Sequence, residues 1–333
     1  MWFKNLQIYR VPAGWTMTAE ALEEQLARKR FQPCGSQDQE TRGWLSPTGD
    51  EFLVHQVGGQ WLIALGVENR LLPSSVVKQE AEERAEALAD QQGYKPGRKQ
   101  MKDLREQVLQ ELLPRAFTRR RKAFAWIDPT GGWLGIDAPS QARAEDVLEV
   151  LRQTLDTLPL ALVRTELSPT SAMADWLAGN EAPAGFTIDQ DCELRSVSED
   201  KAAVRYVRHP LEGDEIKGHL TAGKLPTRLA LTFDDRVSFV LTEKFEIKRL
   251  DFLDVVKENL DQAGAEDARA LFDAGFALMT GELQRLLPAV VEALGGELKG
   301  GEAAGFGESP AAPAAAAASS ASAPAAVAGD APW

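Results

Sequence analysis

Residues 74–113, SSVVKQEAEERAEALADQQGYKPGRKQMKDLREQVLQELL, are dominated by Glu, Ala, Gln, Lys and Leu, all strong helix formers. The breakers Gly93, Pro96 and Gly97 fall together in the middle. This pattern predicts a helix, a short loop and a second helix: a hairpin arm rather than a compact domain. On the second helix Arg98, Lys102 and Arg105 share a face at i, i+4 and i+7, while Leu104, Val108 and Leu112 share another.

Strand signals flank this arm. WFKNLQIYRV (2–11) is strand-like, and Thr18 is suited to cap a helix over Ala19–Arg30 with Ala21, Leu22 and Leu26 on one face. EFLVHQV (51–57) and QWLIALGV (60–67) predict a hairpin across Gly58-Gly59, a dipeptide that supplies the positive φ of a tight turn. Beyond the arm, AFAWIDPTGGWLGIDA (123–138) predicts a second hairpin turning at Asp128–Gly132. An amphipathic helix with Val147, Leu148, Leu151 and Leu155 follows, then PLALV (159–163). TRLALTF (227–233) and RVSFVLTE (236–243) form a third hairpin about Asp234-Asp235. The last helical run, FALMTGELQRLLPAVVEALGG (276–296), contains Pro288, which is expected to break or kink it.

The fold class is therefore α+β, made of mixed β-hairpin and helix units with a protruding helical arm. The expected division is 1–73 with 122–165 as a central domain, 74–121 as arm and tip, and 166–299 as a C-terminal domain. Residues 300–333 are almost entirely Ala, Pro, Ser and Gly and are expected to stay disordered, because they cannot bury enough apolar surface to offset ordering.

Composition excludes several function classes. The 333 residues are 44% hydrophobic, ample for packed cores, and no apolar run approaches a membrane span. The start MWFKNLQIYRV carries no secretory pattern, so a cytoplasmic protein without membrane partners is expected. Cys34 and Cys192 lie far apart with no metal-ligand spacing, and no cofactor or metal is expected. Phosphate loops, GxGxxG, HExxH and GxSxG are all absent, and His55, His209 and His219 show no ligand pattern. One arrangement, Asp235 with Glu246 and Lys248 on successive strands, resembles the D…ExK spacing of Mg²⁺-dependent nucleases. The simpler reading puts Asp234-Asp235 in the hairpin turn and Glu246 and Lys248 on the outward side of a strand.

Charge distribution is more informative than its total. The net charge is −13, yet residues 95–124 hold ten basic side chains against Asp103, Glu106 and Glu111. The ten are Lys95, Arg98, Lys99, Lys102, Arg105, Arg115, Arg119, Arg120, Arg121 and Lys122. A milder patch comprises Arg205, Arg208, His209, Lys217, Lys224 and Arg228. Like charges at i and i+4 destabilise a helix unless an anion compensates, and a DNA backbone is such an anion. Contacts of this kind need no base reading, which favours non-specific binding. Charged residues can also simply solvate a helix, or the arm could dock an acidic protein as an adaptor. Within this region Phe117 of LLPRAF is either tucked into its own core or presented to a partner.

WFKNLQIYRV, FQPCGSQDQETRGWLSP, LLPSSVVKQE, LLPRAF and ALMTGELQRLLPAVVEALGGE, in this order, resemble the recombination-associated RdgC family from Met1 to about Glu297. The resemblance implies a horseshoe-shaped α+β subunit, two of which meet at both ends as a ring-shaped homodimer with a basic hole. It implies a non-enzymatic, nucleoid-associated protein that binds double- and single-stranded DNA without sequence preference. By occupying DNA, such a protein restrains RecA in recombination. Phe117 would be the apolar contact at one dimer interface. Arg98, Lys99, Lys102, Arg115, Arg119, Arg120, Arg121 and Lys122 would face the hole or its entrance. Arg205 and Arg208 fall where the family has basic residues near the DNA path, though Tyr206 and Val207 interrupt them, and Lys224 joins them as a candidate DNA contact.

Overall fold

In a computed structural model, which describes residues 1–198, 201–262 and 267–298, two antiparallel sheets carry the chain. The first contains β1 (Gln7–Arg10), β2 (Glu40–Leu45), β3 (Val54–Val57), β4 (Gln60–Arg70), β5 (Thr118–Asp128), β6 (Trp133–Ile136) and β7 (Ala161–Leu162). Its order is β2-β4-β5-β6-β1-β7. The long β4 pairs with β3 through Gln60–Ile63 and with β2 through Ala64–Asn69. The β3–β4 turn uses Gly58 and Gly59 at φ of 57° and 78°, as their lack of a Cβ allows.

Helix α1 (Ala19–Ala27) starts where Thr18 Oγ1 accepts the Ala21 N–H. It stops short of Arg30 because the chain there turns to pair with Trp44 of β2, Phe31 N–H donating to the Trp44 carbonyl at 2.9 Å. Helix α4 (Gln141–Thr154) lies against the same layer, with Leu155 buried just past its end. Leu22, Leu26, Trp44, Ile63, Leu65, Val147, Leu148 and Leu151 fill the space between. Trp44 is buried whole because its indole N–H donates to Thr154 Oγ1 at 3.1 Å.

The second sheet, in order β12-β11-β10-β8-β9, comprises β8 (Phe186–Ser196), β9 (Ala203–Tyr206), β10 (Lys224–Phe233), β11 (Val237–Thr242) and β12 (Ile247–Phe252). Helices α5 (Pro169–Gly179), α6 (Asp214–Thr221), α7 (Asp254–Gln262) and α8 (Ala268–Ala293) accompany it. Leu6, just before β1, and Ile247 exchange backbone hydrogen bonds at 2.7 and 3.1 Å, joining the two sheets. A core shared by both contains Leu6, Leu62 and Trp126 with Leu231, Phe276, Met279 and Leu283.

Helix α8 continues through Pro288, so of the expected break or kink the break does not occur. Leu283, Leu286, Leu287, Val290 and Val291 are buried on both sides of the proline. That apolar burial outweighs a proline penalty of about 3 kcal/mol. No helix among the described residues is long and apolar enough to cross a membrane. The expectation for residues 300–333 lies outside the described residues.

Candidate nucleic-acid interface

The arm consists of α2 (Ser74–Gln92) and α3 (Arg98–Leu112). Gly93 closes α2 at φ 80°, and Gln100 Oε1 accepts the Gly97 N–H to open α3. The helices touch through Val77, Ala81 and Val108, flanked by Leu72, Leu104, Leu109 and Leu112. Because that stripe takes one side of α3, Arg98, Lys102 and Arg105 stand exposed on another, with Lys99 beside them. The arm's ion pairs join Lys78 to Glu82 and Arg84 to Glu80 and Glu111. Among the described residues Arg98, Lys99, Lys102, Arg105 and Arg115 have no such partner. Lys78, Lys102, Arg105 and Glu106 rim a cleft of about 970 Å³ floored by Leu72, Val77 and Leu109.

A single 3-10 turn, Leu113–Arg115, ends the arm. Phe117 follows, 84% exposed, its carbonyl accepting the Leu71 N–H at 2.7 Å. With Leu71 and Val76 also exposed, Phe117 is presented and not tucked into a core.

Strand β5 then begins at Thr118, so Arg119–Lys122 belong to the first sheet and not to a helix or loop of the arm. Register sets Arg119 opposite Asn69, Arg120 opposite Glu68, Arg121 opposite Val67 and Lys122 opposite Gly66. Arg120 donates to Glu68 Oε1 at 3.0 and 3.2 Å and lies 4.6 Å from the Phe31 ring centroid. Phe31 fits there because Gly66 offers no Cβ, which would stand 2.8 Å from its ring. The Cys34 N–H, donating at 2.7 Å, and then Arg120 hold the buried Glu68 carboxyl below its usual range. Arg121 donates to Asn69 Oδ1 at 3.0 Å and lies 3.7 Å from Asp146. Burial, then repulsion from Arg143, lowers the Arg121 pKa. Lys122 donates to the Ser46 carbonyl at 3.2 Å, whereas Arg119 is exposed without a partner among the described residues.

The second patch lies on the other sheet. Arg205 of β9 sits opposite Glu193 of β8, which on its other side faces Arg228 of β10. These three line a cavity of about 230 Å³ with Asp191, Lys248 and Arg249. Arg208, at φ 52°, donates its N–H to Asp191 Oδ1 at 2.9 Å, and Asp191 also takes Arg249 at 2.7 Å. Lys224 Nζ donates to His219 Nδ1 at 3.3 Å. Arg249 was invisible to local spacing, since it falls in the register shift between β11 and β12, at φ 52°.

Asp234 and Asp235 form the β10–β11 turn at φ of 50° and 53°. Glu246 hydrogen-bonds Thr242 at the opposite end of β11, roughly 20 Å away at about 3.3 Å per strand residue. Lys248 pairs with Glu246 at 3.0 Å. The nuclease arrangement is therefore not assembled around Asp235. Among the described residues no group of three or more His, Cys, Asp or Glu could hold a metal ion.

The family model described as "Putative exonuclease, RdgC" matches residues 1–297. The chain is 61% identical over 302 residues to the Recombination-associated protein RdgC of Dechloromonas aromatica, spanning 90% of this chain and 99% of that one. It is 52% identical over 297 residues to the protein of the same name from Herminiimonas arsenicoxydans, spanning 89% and 99%. The counterpart in Cupriavidus necator is 52% identical over 299 residues, covering 90% and 100%. With the family pattern running from Met1 through α8 and the two-sheet scaffold continuous over the same stretch, the chain belongs to the RdgC family of recombination-associated proteins.

Proposed function

We propose that this protein binds DNA without sequence preference, closes around it as a ring-shaped homodimer, and restrains RecA by occupying the DNA. The observation that carries this reading is the set of exposed cations, Arg98, Lys99, Lys102, Arg105 and Arg119, without acidic partners among the described residues. They occur in a chain of net charge −13. Unpaired cations on α3 and at the head of β5 suit a polyphosphate, while the acidic excess, including Glu83, Glu86 and Asp90 on α2, repels it elsewhere. Arg120, Arg121 and Lys122 already have protein partners, so their part is secondary: they hold the base of the arm on the sheet. Arg205, Arg208 and Lys224 would touch DNA from the second sheet.

Phe117 would close the ring. An aromatic 84% exposed beside the exposed Leu71 is the composition of an interface centre. Enclosure makes residence long even where each phosphate contact is weak and salt-screened. A non-enzymatic role suits the separation of Asp235 from Glu246, and the site would be nucleoid-associated and cytoplasmic.

Gel mobility on random-sequence duplex, repeated across a salt series, tests this reading. Log affinity should fall linearly with log salt at a slope of about −0.9 per phosphate contact. A salt-independent shift, or none at moderate salt, would favour an adaptor that binds protein. Mg²⁺-dependent cleavage abolished by Glu246→Ala would favour the nuclease.

A further inference from the structure

The loop at the end of the arm, residues 93–97, joins α2 to α3 and carries Tyr94, which is 61% exposed. Three large aromatics are exposed among the described residues, and their surroundings differ. Phe52 follows Asp50 and Glu51, a setting hostile to anions. Phe117 stands beside the exposed Leu71, as a protein contact requires. Tyr94 has no exposed large hydrophobic near it in the loop and is followed instead by Lys95, Arg98 and Lys99.

Arg98 and Lys99 occupy the first turn of α3, which contains no acidic residue. A cation there opposes the positive end of the helix dipole and costs roughly 0.3–1 kcal/mol. The nearest carboxylates in sequence are Asp90, in the last turn of α2, and Asp103, a turn further along α3. Neither forms an ion pair with these cations, nor does any other described residue. Gly93 in its left-handed conformation and the Gln100–Gly97 cap fix the loop at both ends. The aromatic is thus presented from a short, anchored loop, at little entropic cost on binding.

We propose that the arm loop is a binding site for single-stranded DNA, in which Tyr94 stacks on an unpaired nucleobase while Lys95, Arg98 and Lys99 take the flanking phosphates. An isolated aromatic among unpaired cations matches the two faces of a single-strand nucleotide, one apolar and flat, the other anionic. In a duplex the base faces are covered by stacking, so the aromatic contributes there only if a step is unstacked. This inference rests on the DNA-binding reading above, to which it adds a base contact.

The test compares the unaltered chain with Tyr94→Phe and Tyr94→Leu on labelled oligo-dT and on a random duplex of equal length, by fluorescence anisotropy. Tyr94 is exposed, so both variants should fold. Tyr94→Phe should keep single-strand affinity within about twofold, and Tyr94→Leu should lose it roughly tenfold, with duplex affinity unchanged within about twofold. Equal affinity of Tyr94→Leu and the unaltered chain for oligo-dT overturns the stacking site and leaves the DNA-binding reading standing. Equal losses on both substrates also overturn it, as does loss of self-association on sizing, which would make Tyr94 a protein contact. Absence of any DNA binding by the unaltered chain overturns both readings together.

Discussion

Phe117 touches solvent over most of its surface and holds its place through a backbone bond to Leu71, so its side chain adds little to the stability of a single subunit. Phe117→Ser should therefore leave the melting temperature of the subunit nearly unchanged yet weaken retention on closed circular DNA. Unaltered retention would remove Phe117 from ring closure. Titratable side chains give a second residue-level expectation. His55 is buried, its Nε2 3.1 Å from Asp273 Oδ1 and its Nδ1 accepting from Arg269 at 3.0 Å. Burial lowers its pKa against the opposing pull of Asp273. Burial alone would raise the Asp50 carboxyl, but Arg269, the Ser46 and Thr48 hydroxyls and the Phe52 N–H hold it well below its usual range. Glu68 is lowered likewise, first by the Cys34 N–H. In each case the unfolded chain takes up a proton at higher pH than the folded one, so acid lowers stability. The loss should begin near pH 6.5 from His55 and deepen below about pH 4.5 from the carboxylates. Thermal unfolding across that range checks it, and His55→Gln should flatten the upper portion.

At the level of elements, α3 carries opposite duties on two faces, Val108 against α2 and Arg98, Lys102 and Arg105 toward solvent. Replacing those three cations by Gln should reduce the salt slope of DNA binding by up to about 0.9 per lost contact while leaving helicity intact by circular dichroism. An unchanged slope would place the phosphates elsewhere. Helix α8 offers an independent check of packing. Pro288 is exposed and lacks the N–H that would bond one turn back, so Pro288→Ala should stabilise the protein by about 1–3 kcal/mol. A lower melting temperature would contradict it. The same elements show what local sequence can carry. The two arm helices, the Gly58-Gly59 hairpin and the Asp234-Asp235 turn were legible because periodicity and turn chemistry act over a few residues. The strand identity of Arg119–Lys122 was missed, since four consecutive cations lack the alternation that marks a strand. Arg120 is held by Glu68 and Phe31, far off in sequence, and Arg249 reaches Asp191 from an irregularity in the β11–β12 pairing. Pairings of that kind leave no spacing to read.

Across the whole molecule, the acidic excess and the cation-rich stretch 95–122 are two halves of one electrostatic arrangement. A chain of net charge −13 would be repelled by DNA on average, and local segregation of unpaired cations permits approach along one track. Membership of the RdgC family fixes the recombination context; enclosure of DNA, as proposed, would convert weak phosphate contacts into lasting occupancy. Sizing by light scattering should give a dimer with and without DNA; a lone subunit in both would leave nothing to enclose it. The most direct measurement is the lifetime of preformed complexes on covalently closed circles and on open-ended linear DNA of the same sequence after a salt challenge. Topological enclosure predicts complexes that persist on circles and slide off linear ends. Equal lifetimes on the two substrates would contradict it.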